Sequence, residues 1–402
     1  MDEETNAGSL VTDATQDAEE IKPLITAKLT YECGSVRHEK VTAQLFADVL
    51  EMSGTGFSRT LKLNTLSAVE PGNYRVIVRH KAGDITLSMI GHLYEDFVRH
   101  FVSAFNEIVF HEALMSETVH FEAKGQYVSP MGETSSAVFR VCETALAVLP
   151  ETHALVRVPF CLMADIKNEP YRLTITDKRG RSHVLHKLGF STDDFLREFA
   201  KREKELLKLT KERLQTIAPV SDALAKLMME GLVVPAGQIR DISASFADAL
   251  EAKLSAQIPD EYGFLKSVSG GLAVGIKSGL MGALTGESII LLVPVNNKVI
   301  MESLGEAAAA TYVFDMGETP WEAFLPAFNE SMLAVNFRRE PIYMSDEALA
   351  SEKHEIYRNA IVPALLWAHF ENNIWGAWRT ADLTHGSARS TGISIDNHDM
   401  WY

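Results

Sequence analysis

The chain switches between stretches in which apolar residues recur at every second position and stretches in which they recur at every third or fourth. Tyr171, Leu173 and Ile175 alternate with Arg172, Thr174 and Thr176, the period of a half-buried β-strand. Asp177-Lys178-Arg179-Gly180-Arg181 then turns the chain into a second predicted strand, 182–188. An earlier segment does the same: 74–79 turns at Lys81-Ala82-Gly83-Asp84 into 85–90, with Ile85, Leu87 and Met89 on one face. Both read as β-hairpins with glycine where positive φ costs least. Further strands are predicted over 41–52, 60–66, 137–149 and 154–163. Immediately after each hairpin the period becomes helical. Tyr94, Phe97, Val98, Phe101, Val102, Phe105, Ile108 and Val109 form one broad apolar face. Phe195, Leu196, Phe199, Leu206 and Leu207 form the corresponding face downstream, where Ser191-Thr192-Asp193-Asp194 suits an N-cap and an acidic first turn.

The two sections are copies of one pattern. Residues 27–105 lie on 123–203 with an offset that drifts from 96 to 98. Ala27-Lys28 and Tyr31 fall on Ala123-Lys124 and Tyr127, and Tyr74-Arg75 falls on Tyr171-Arg172. Lys81-x-Gly83 matches Lys178-x-Gly180, and Gly91 with Asp96-Phe97-x-Arg99-x-Phe101 matches Gly189 with Asp194-Phe195-x-Arg197-x-Phe199. A duplication constrains architecture before any motif is considered.

The rest divides more coarsely. An acidic tail without hydrophobic periodicity, expected to be disordered, precedes repeat 1; the boundaries are 1–25 for the tail, 26–115 for repeat 1 and 119–214 for repeat 2. A helical connector over 215–258 contains helices at 220–230 and 240–256, interrupted by Gly231 and Pro235. A third β-rich unit with a closing helix, 259–338, has predicted strands at 272–277, 288–295, 298–304 and 310–316, with Asn296-Asn297 as a tight turn. Trp321-Glu322-Ala323-Phe324, Phe328 and Asn329-Glu330 echo Tyr94-Glu95-Asp96-Phe97, Phe101 and Asn106-Glu107. The likeness is confined to that helix, which leaves open whether the unit is a degenerate third copy. Residues 339–383 are expected to be helical, chiefly 351–378 with Tyr357, Ile361, Leu365, Trp367, Phe370, Ile374, Trp375 and Trp378, and 384–402 to be a flexible tail.

Several antiparallel strands closed by one amphipathic helix resemble the pleckstrin-homology superfold. The expected fold class is therefore α+β, with two tandem PH-like antiparallel units, a third β-rich unit and a helical C-terminus. The third section also resembles an uncharacterised bacterial protein group through Thr311-Tyr312-Val313-Phe314 and Phe337-Arg338-Arg339-Glu340-Pro341-Ile342. That second resemblance implies no activity.

Charge and motifs narrow the chemistry. The 402 residues carry a net charge of −16, and only repeat 2 is net basic, which disfavours nucleic acid as a partner. Three cysteines, Cys33, Cys142 and Cys161, occupy non-equivalent positions and read as buried free thiols in a reducing, cytoplasmic setting. The Met-Asp-Glu-Glu start lacks the basic and apolar regions of a secretory signal. Gly271, Gly275 and Gly279 have helix-packing spacing, but Lys266, Lys277 and Glu287 break the run below a membrane-spanning length. Gly271-x-x-x-Gly275-Ile276-Lys277-Ser278 misses the phosphate-loop spacing by one residue. His111-Glu112 and His354-Glu355 lack a second histidine at i+4, and His183 and His186 point to opposite faces of a strand, so surface histidines are expected rather than a metal site. No G-x-S-x-G elbow is present, and no cofactor is expected.

The leading functional reading is a non-catalytic cytoplasmic binding or scaffold protein that acts on protein partners. Its candidate surface is the basic cluster Lys178, Arg179 and Arg181 at the hairpin tip, with Lys201 and Lys204 on the helix that follows. The PH-like resemblance implies anionic lipid as an alternative partner for that cluster, with peripheral attachment to the inner face of the membrane. Interleaved Glu198, Glu203, Glu205 and Glu212 favour a solvated amphipathic helix instead. A third reading, an enzyme, places a site using Arg338, Arg339, Glu340 and His369 between the third unit and the C-terminal helices, while Trp321, Trp367, Trp375 and Trp378 could line a pocket but read better as core packing.

Overall fold

The computed structural model describes residues 22–80, 82–114, 118–257, 271–278, 287–295, 297–304, 309–316, 318–335, 375–379 and 393–395. The first unit contains β1 (Ile25–Cys33), β2 (Val36–Leu45), β3 (Val49–Gly54), β4 (Phe57–Lys62), β5 (Leu66–Gly72), β6 (Arg75–His80), β7 (Ile85–Ser88) and α1 (Tyr94–Ile108). Its strands form one antiparallel sheet ordered β4-β3-β2-β1-β7-β6-β5. β1 joins the two halves. It pairs with β2 along its length and with β7 from Thr30↔Ser88 to Cys33↔Ile85, and a bulge between Leu29 and Tyr31 bends it where the partners change. Leu29, Tyr31, Val76, Val78 and Leu87 face inward, and α1 covers them with Phe97 and Phe101, whose rings meet edge-on at 5.7 Å.

The second unit repeats the plan with β8 (Phe121–Val128), β9 (Thr134–Val141), β10 (Ala145–Pro150), β11 (Val156–Pro159), β12 (Met163–Glu169), β13 (Arg172–Asp177), β14 (Ser182–His186) and α2 (Thr192–Leu214). Its strand order, β11-β10-β9-β8-β14-β13-β12, is that of the first sheet. Both hairpin glycines adopt the expected positive φ, +115° at Gly83 and +79° at Gly180. The runs 41–52 and 137–149 each prove to be two strands. Phe46 N–H bonds to Val49 O and Cys142 N–H to Ala145 O, so each run turns back on itself. Each turn has a single short polar interruption, Asp48 in one and Glu143-Thr144 in the other, without the glycine or proline that marks the hairpins. Ser191 makes no side-chain cap; Thr192 Oγ1 instead donates to Gly189 O at 2.8 Å.

The connector holds α3 (Asp222–Leu227), α4 (Ala236–Ile242) and α5 (Ala244–Gln257). Ser243, in an extended conformation, divides the helix expected over 240–256. The third sheet is a meander of β15 (Val234–Pro235), β16 (Ala273–Ser278), β17 (Glu287–Val295), β18 (Lys298–Leu304), β19 (Ala309–Asp315), β20 (Trp375–Arg379) and β21 (Ile393–Ile395), with α6 (Trp321–Val335) between β19 and β20. Its sequential order differs from that of the two repeats. Trp375–Arg379 is a strand that pairs with β19 rather than the end of a helix, and Ile393–Ile395 pairs with it in turn rather than belonging to a flexible tail. Apolar spacing near 375 fits either period, and the open edge of β19 selects the strand. The rest of 339–402 and residues 1–21 lie outside the described residues. Gly275 of the Gly271–Ser278 run allows close packing of the sheet on the connector: a Cβ there would lie 2.7 Å from Gly231 O.

The first two units are joined through α1. Asn106, 1% exposed, donates from Nδ2 to Pro150 O (2.8 Å) and His153 O (3.0 Å), and its Oδ1 accepts from Leu155 N–H (2.9 Å). One residue on, Glu107 accepts two hydrogen bonds of 2.8 Å from the Arg140 guanidinium, which also donates to Glu122 at 2.8 Å and lies 4.6 Å from the Phe110 ring centroid. Phe110 packs with Cys142, Ala147 and Leu149 of the second unit. Beyond α2 one apolar core runs from Ala123 through Phe246 and Ile289 to Leu333. Asn106→Ala should lower the unfolding free energy by about 3 kcal/mol, because it strands buried backbone groups. Glu107→Gln should cost about 1 kcal/mol or less, because Glu122 still holds Arg140. Denaturant midpoints of the two variants test this ordering; equal losses would contradict it.

Candidate functional site

The β13–β14 turn is built around Asp177. Its carboxylate is buried (3% exposed), and Oδ1 accepts the backbone N–H groups of Arg179 and Arg181, each at 2.9 Å. Oδ2 accepts from Arg181 Nε at 2.6 Å. Lys178, Arg179 and Arg181 are thereby held at the tip, with Lys178 N–H bonded to Leu162 O at 2.8 Å. Facing them is α6. Glu330 pairs with Arg179 and accepts from Arg181 Nη2 at 2.6 Å, while Asn329 clamps Val233 by donating to its carbonyl (2.7 Å) and accepting from its N–H (2.8 Å).

Between hairpin, connector and α6 lies a cavity of about 400 Å³. Leu162 and the connector residues Leu227, Leu232 and Val234 supply one apolar side, and Trp321, Leu325 and Pro326 of α6 supply the other. Its ionic rim is Asp177, Lys178, Arg179, Arg181, Glu322 and Glu330. Arg179 and Arg181 are occupied by Glu330 and Asp177, whereas Lys178 makes no ion pair among the described residues. Packed protein displaces water from the Lys178 ammonium and lowers its pKa, though the residue keeps contact with solvent at the mouth. Behind the cavity, burial raises the Cys161 thiol well above its usual range, and its Sγ donates to Glu230 Oε2 at 3.5 Å. That thiol is neutral and supplies no counter-charge to Lys178.

Of the residues expected to form the basic surface, the structure gathers Lys178, Arg179 and Arg181 at one rim. Lys201 and Lys204 are exposed on α2 and do not line the cavity; Lys201 lies 3.7 Å from Glu198. Arg338, Arg339, Glu340 and His369 fall outside the described residues. Trp321, one of the tryptophans considered as pocket-lining, does line the cavity, whereas Asn329 and Glu330 were not foreseen as site residues. A signal existed, because Ala-Phe-Asn-Glu occurs at 104–107 and again at 327–330, and in both places asparagine grips the backbone of another segment while glutamate pairs with arginine of the second unit. Among the described residues no group of histidines, cysteines and carboxylates could hold a metal ion.

His183 is buried rather than at the surface. Its Nδ1 lies 2.7 Å from Tyr127 Oη, and His153 stacks on the same tyrosine ring at 5.9 Å. Burial pushes Tyr127 up and lowers both histidines, with Asp177 opposing the shift at His183 and Arg181 adding to it. The folded protein thus keeps both imidazoles neutral at a pH where the unfolded chain, with pKa near 6.5, takes up protons. Their contribution to stability is complete above 6.5 and is lost as pH falls through the depressed folded values. Unfolding free energy should therefore decline below about pH 6.5, and His183→Gln, which retains a partner for Tyr127, should flatten the decline. An unchanged pH slope in that variant would contradict this account.

No protein-family model matches the chain, and no curated protein resembles it closely enough to count as a match.

Proposed function

We propose that the chain is a non-catalytic binding protein of the cytoplasm whose two pleckstrin-homology-like units form one platform for protein partners. Support for the PH-like assignment comes from seven antiparallel strands in the same order in both units, a first strand that joins the two halves of each sheet, and a closing helix. The observation that carries the functional reading is a duplicated exposed aromatic. Tyr74 at the β5–β6 turn is 78% exposed and Tyr171 at the β12–β13 turn is 85% exposed. Strand register places Arg75 opposite Ser88 and Arg172 opposite His186, so each tyrosine neighbours the following link, which exposes Met89 in one unit and Phe190 in the other.

Both tyrosines have positive φ, +56° and +63°, a conformation that a bulky side chain adopts at a cost. Tyr74 packs against Tyr94 with the rings tilted at 48° and their centroids 5.5 Å apart, which holds the exposed ring in place. Rigid tyrosines beside arginines are the side chains that dominate protein interfaces. Asn106 and Arg140 fix the separation of the two units, so a partner that engages both turns gains the advantage of an intramolecular second contact. The lipid reading is weaker, because Glu330 and Asp177 already neutralise Arg179 and Arg181. None of the described helices is long and apolar enough to cross a membrane. Nothing among the described residues supports the enzyme reading.

Affinity purification of the tagged full-length protein, in parallel with Tyr74→Ser plus Tyr171→Ser, tests the platform. A partner retained stoichiometrically by the parent should fall at least tenfold on the double variant, with each single variant intermediate. Equal recovery on parent and double variant would remove the tyrosine turns from the function.

A further inference from the structure

We propose that the cavity between the β13–β14 hairpin and α6 binds a small amphipathic monoanion, a carboxylate on an apolar body of about ten carbons, with Lys178 as its counter-ion. This assignment stands apart from the partner-binding reading, since the tyrosine turn lies at the opposite end of β13.

Size and lining set the body of the ligand. At about 400 Å³ the cavity is large enough for a small organic molecule, and Leu162, Leu232, Val234, Trp321 and Leu325 offer it apolar surface. Charge sets the head group. Of the three cations at the mouth, Arg179 and Arg181 are held by Glu330 and Asp177, which leaves Lys178 as the rim cation without an ion pair. Lys178 stands at the mouth beside apolar walls, and a carboxylate seated there would gain a charge-assisted hydrogen bond that no described residue makes to it. Glu322, on the first turn of α6, contributes negative charge to the same rim and opposes a second charge on the ligand. A monoanion fits this balance better than a phosphate dianion.

The probe is decanoate, titrated calorimetrically into the full-length protein with tryptophan fluorescence recorded in parallel, and 1-decanol is the uncharged comparator. Decanoate should bind at micromolar concentration with a fluorescence change that disappears in Trp321→Phe. Lys178→Met should weaken decanoate at least tenfold, Lys178→Arg should stay within about threefold, and 1-decanol should respond to neither variant. Circular dichroism confirms that the variants are folded, as expected for a residue with no ion pair to lose. Absence of decanoate binding to the parent protein, or equal binding by Lys178→Met, would overturn the proposal. Equal weakening of decanoate and 1-decanol by Lys178→Met would also overturn it, by showing a change of cavity shape in place of a lost counter-ion.

Discussion

A buried primary amide fixes the geometry of the first two units. Asn106 sits at the far end of α1 with its three hydrogen bonds directed at the 150–155 loop of the neighbouring unit. Away from that loop, an amide in such an apolar setting would lose partners worth about 1–3 kcal/mol each, so docking is close to all-or-none. Arg140 works in the same sense. Burial opposes its charge, but the hydrogen bonds it donates to Glu107 and Glu122 outweigh the opposition and hold its pKa above the usual arginine value. Exposed pairs such as Arg37–Glu39 contribute little by comparison, because water competes for both charges.

The recurrence of Ala-Phe-Asn-Glu in α6 gives this device a general form. Successive residues of a helix project about 100° apart, so phenylalanine, asparagine and glutamate in a row address three surroundings at once. Phe105 and Phe328 enter their cores, Asn106 and Asn329 clamp a neighbouring backbone, and Glu107 and Glu330 hold arginines of the second unit. Both glutamates thus reach the second unit, while Asn106 clamps that unit's backbone and Asn329 clamps the connector at Val233. The second unit's own helix has Arg202-Glu203-Lys204-Glu205 at the aligned position and spends Arg202 on its own Glu198 and Glu205. α2 therefore couples onward through apolar residues such as Leu206 and Leu214.

Most of the strands and the closing helices of the repeats were legible in the sequence, because a period-two hairpin followed by a period-3.6 stripe is unambiguous when it occurs twice. The turns within 41–52 and 137–149 were not, since their only polar marks, Asp48 and Glu143-Thr144, come without glycine or proline. Trp375–Arg379 misled for a different reason: the partner that makes it a strand, β19, lies far away along the chain. The site was half legible. Lys178, Arg179 and Arg181 stood out as a basic cluster, but Glu330, which lies about 150 residues away in sequence and cancels two of them, could be assigned only once the hairpin and α6 were seen to meet.

That cancellation alters what the hairpin can do. A turn with three free cations would act as a patch for any polyanion, with a field reaching about one Debye length, near 8 Å at physiological salt. Once Glu330 and Asp177 have taken both arginines, the remaining charge is a single ammonium beside an apolar wall, so recognition becomes local and stereospecific. The wall exists only while α6 and the connector are docked on the second unit, because each supplies part of it. A ligand held there binds the docked arrangement and not the separated one, so by linkage its binding free energy adds to the cohesion of the second and third units. The Asn329–Glu330 grip and the cavity are in that sense one thermodynamic element, in which whatever strengthens the grip also preorganises the site.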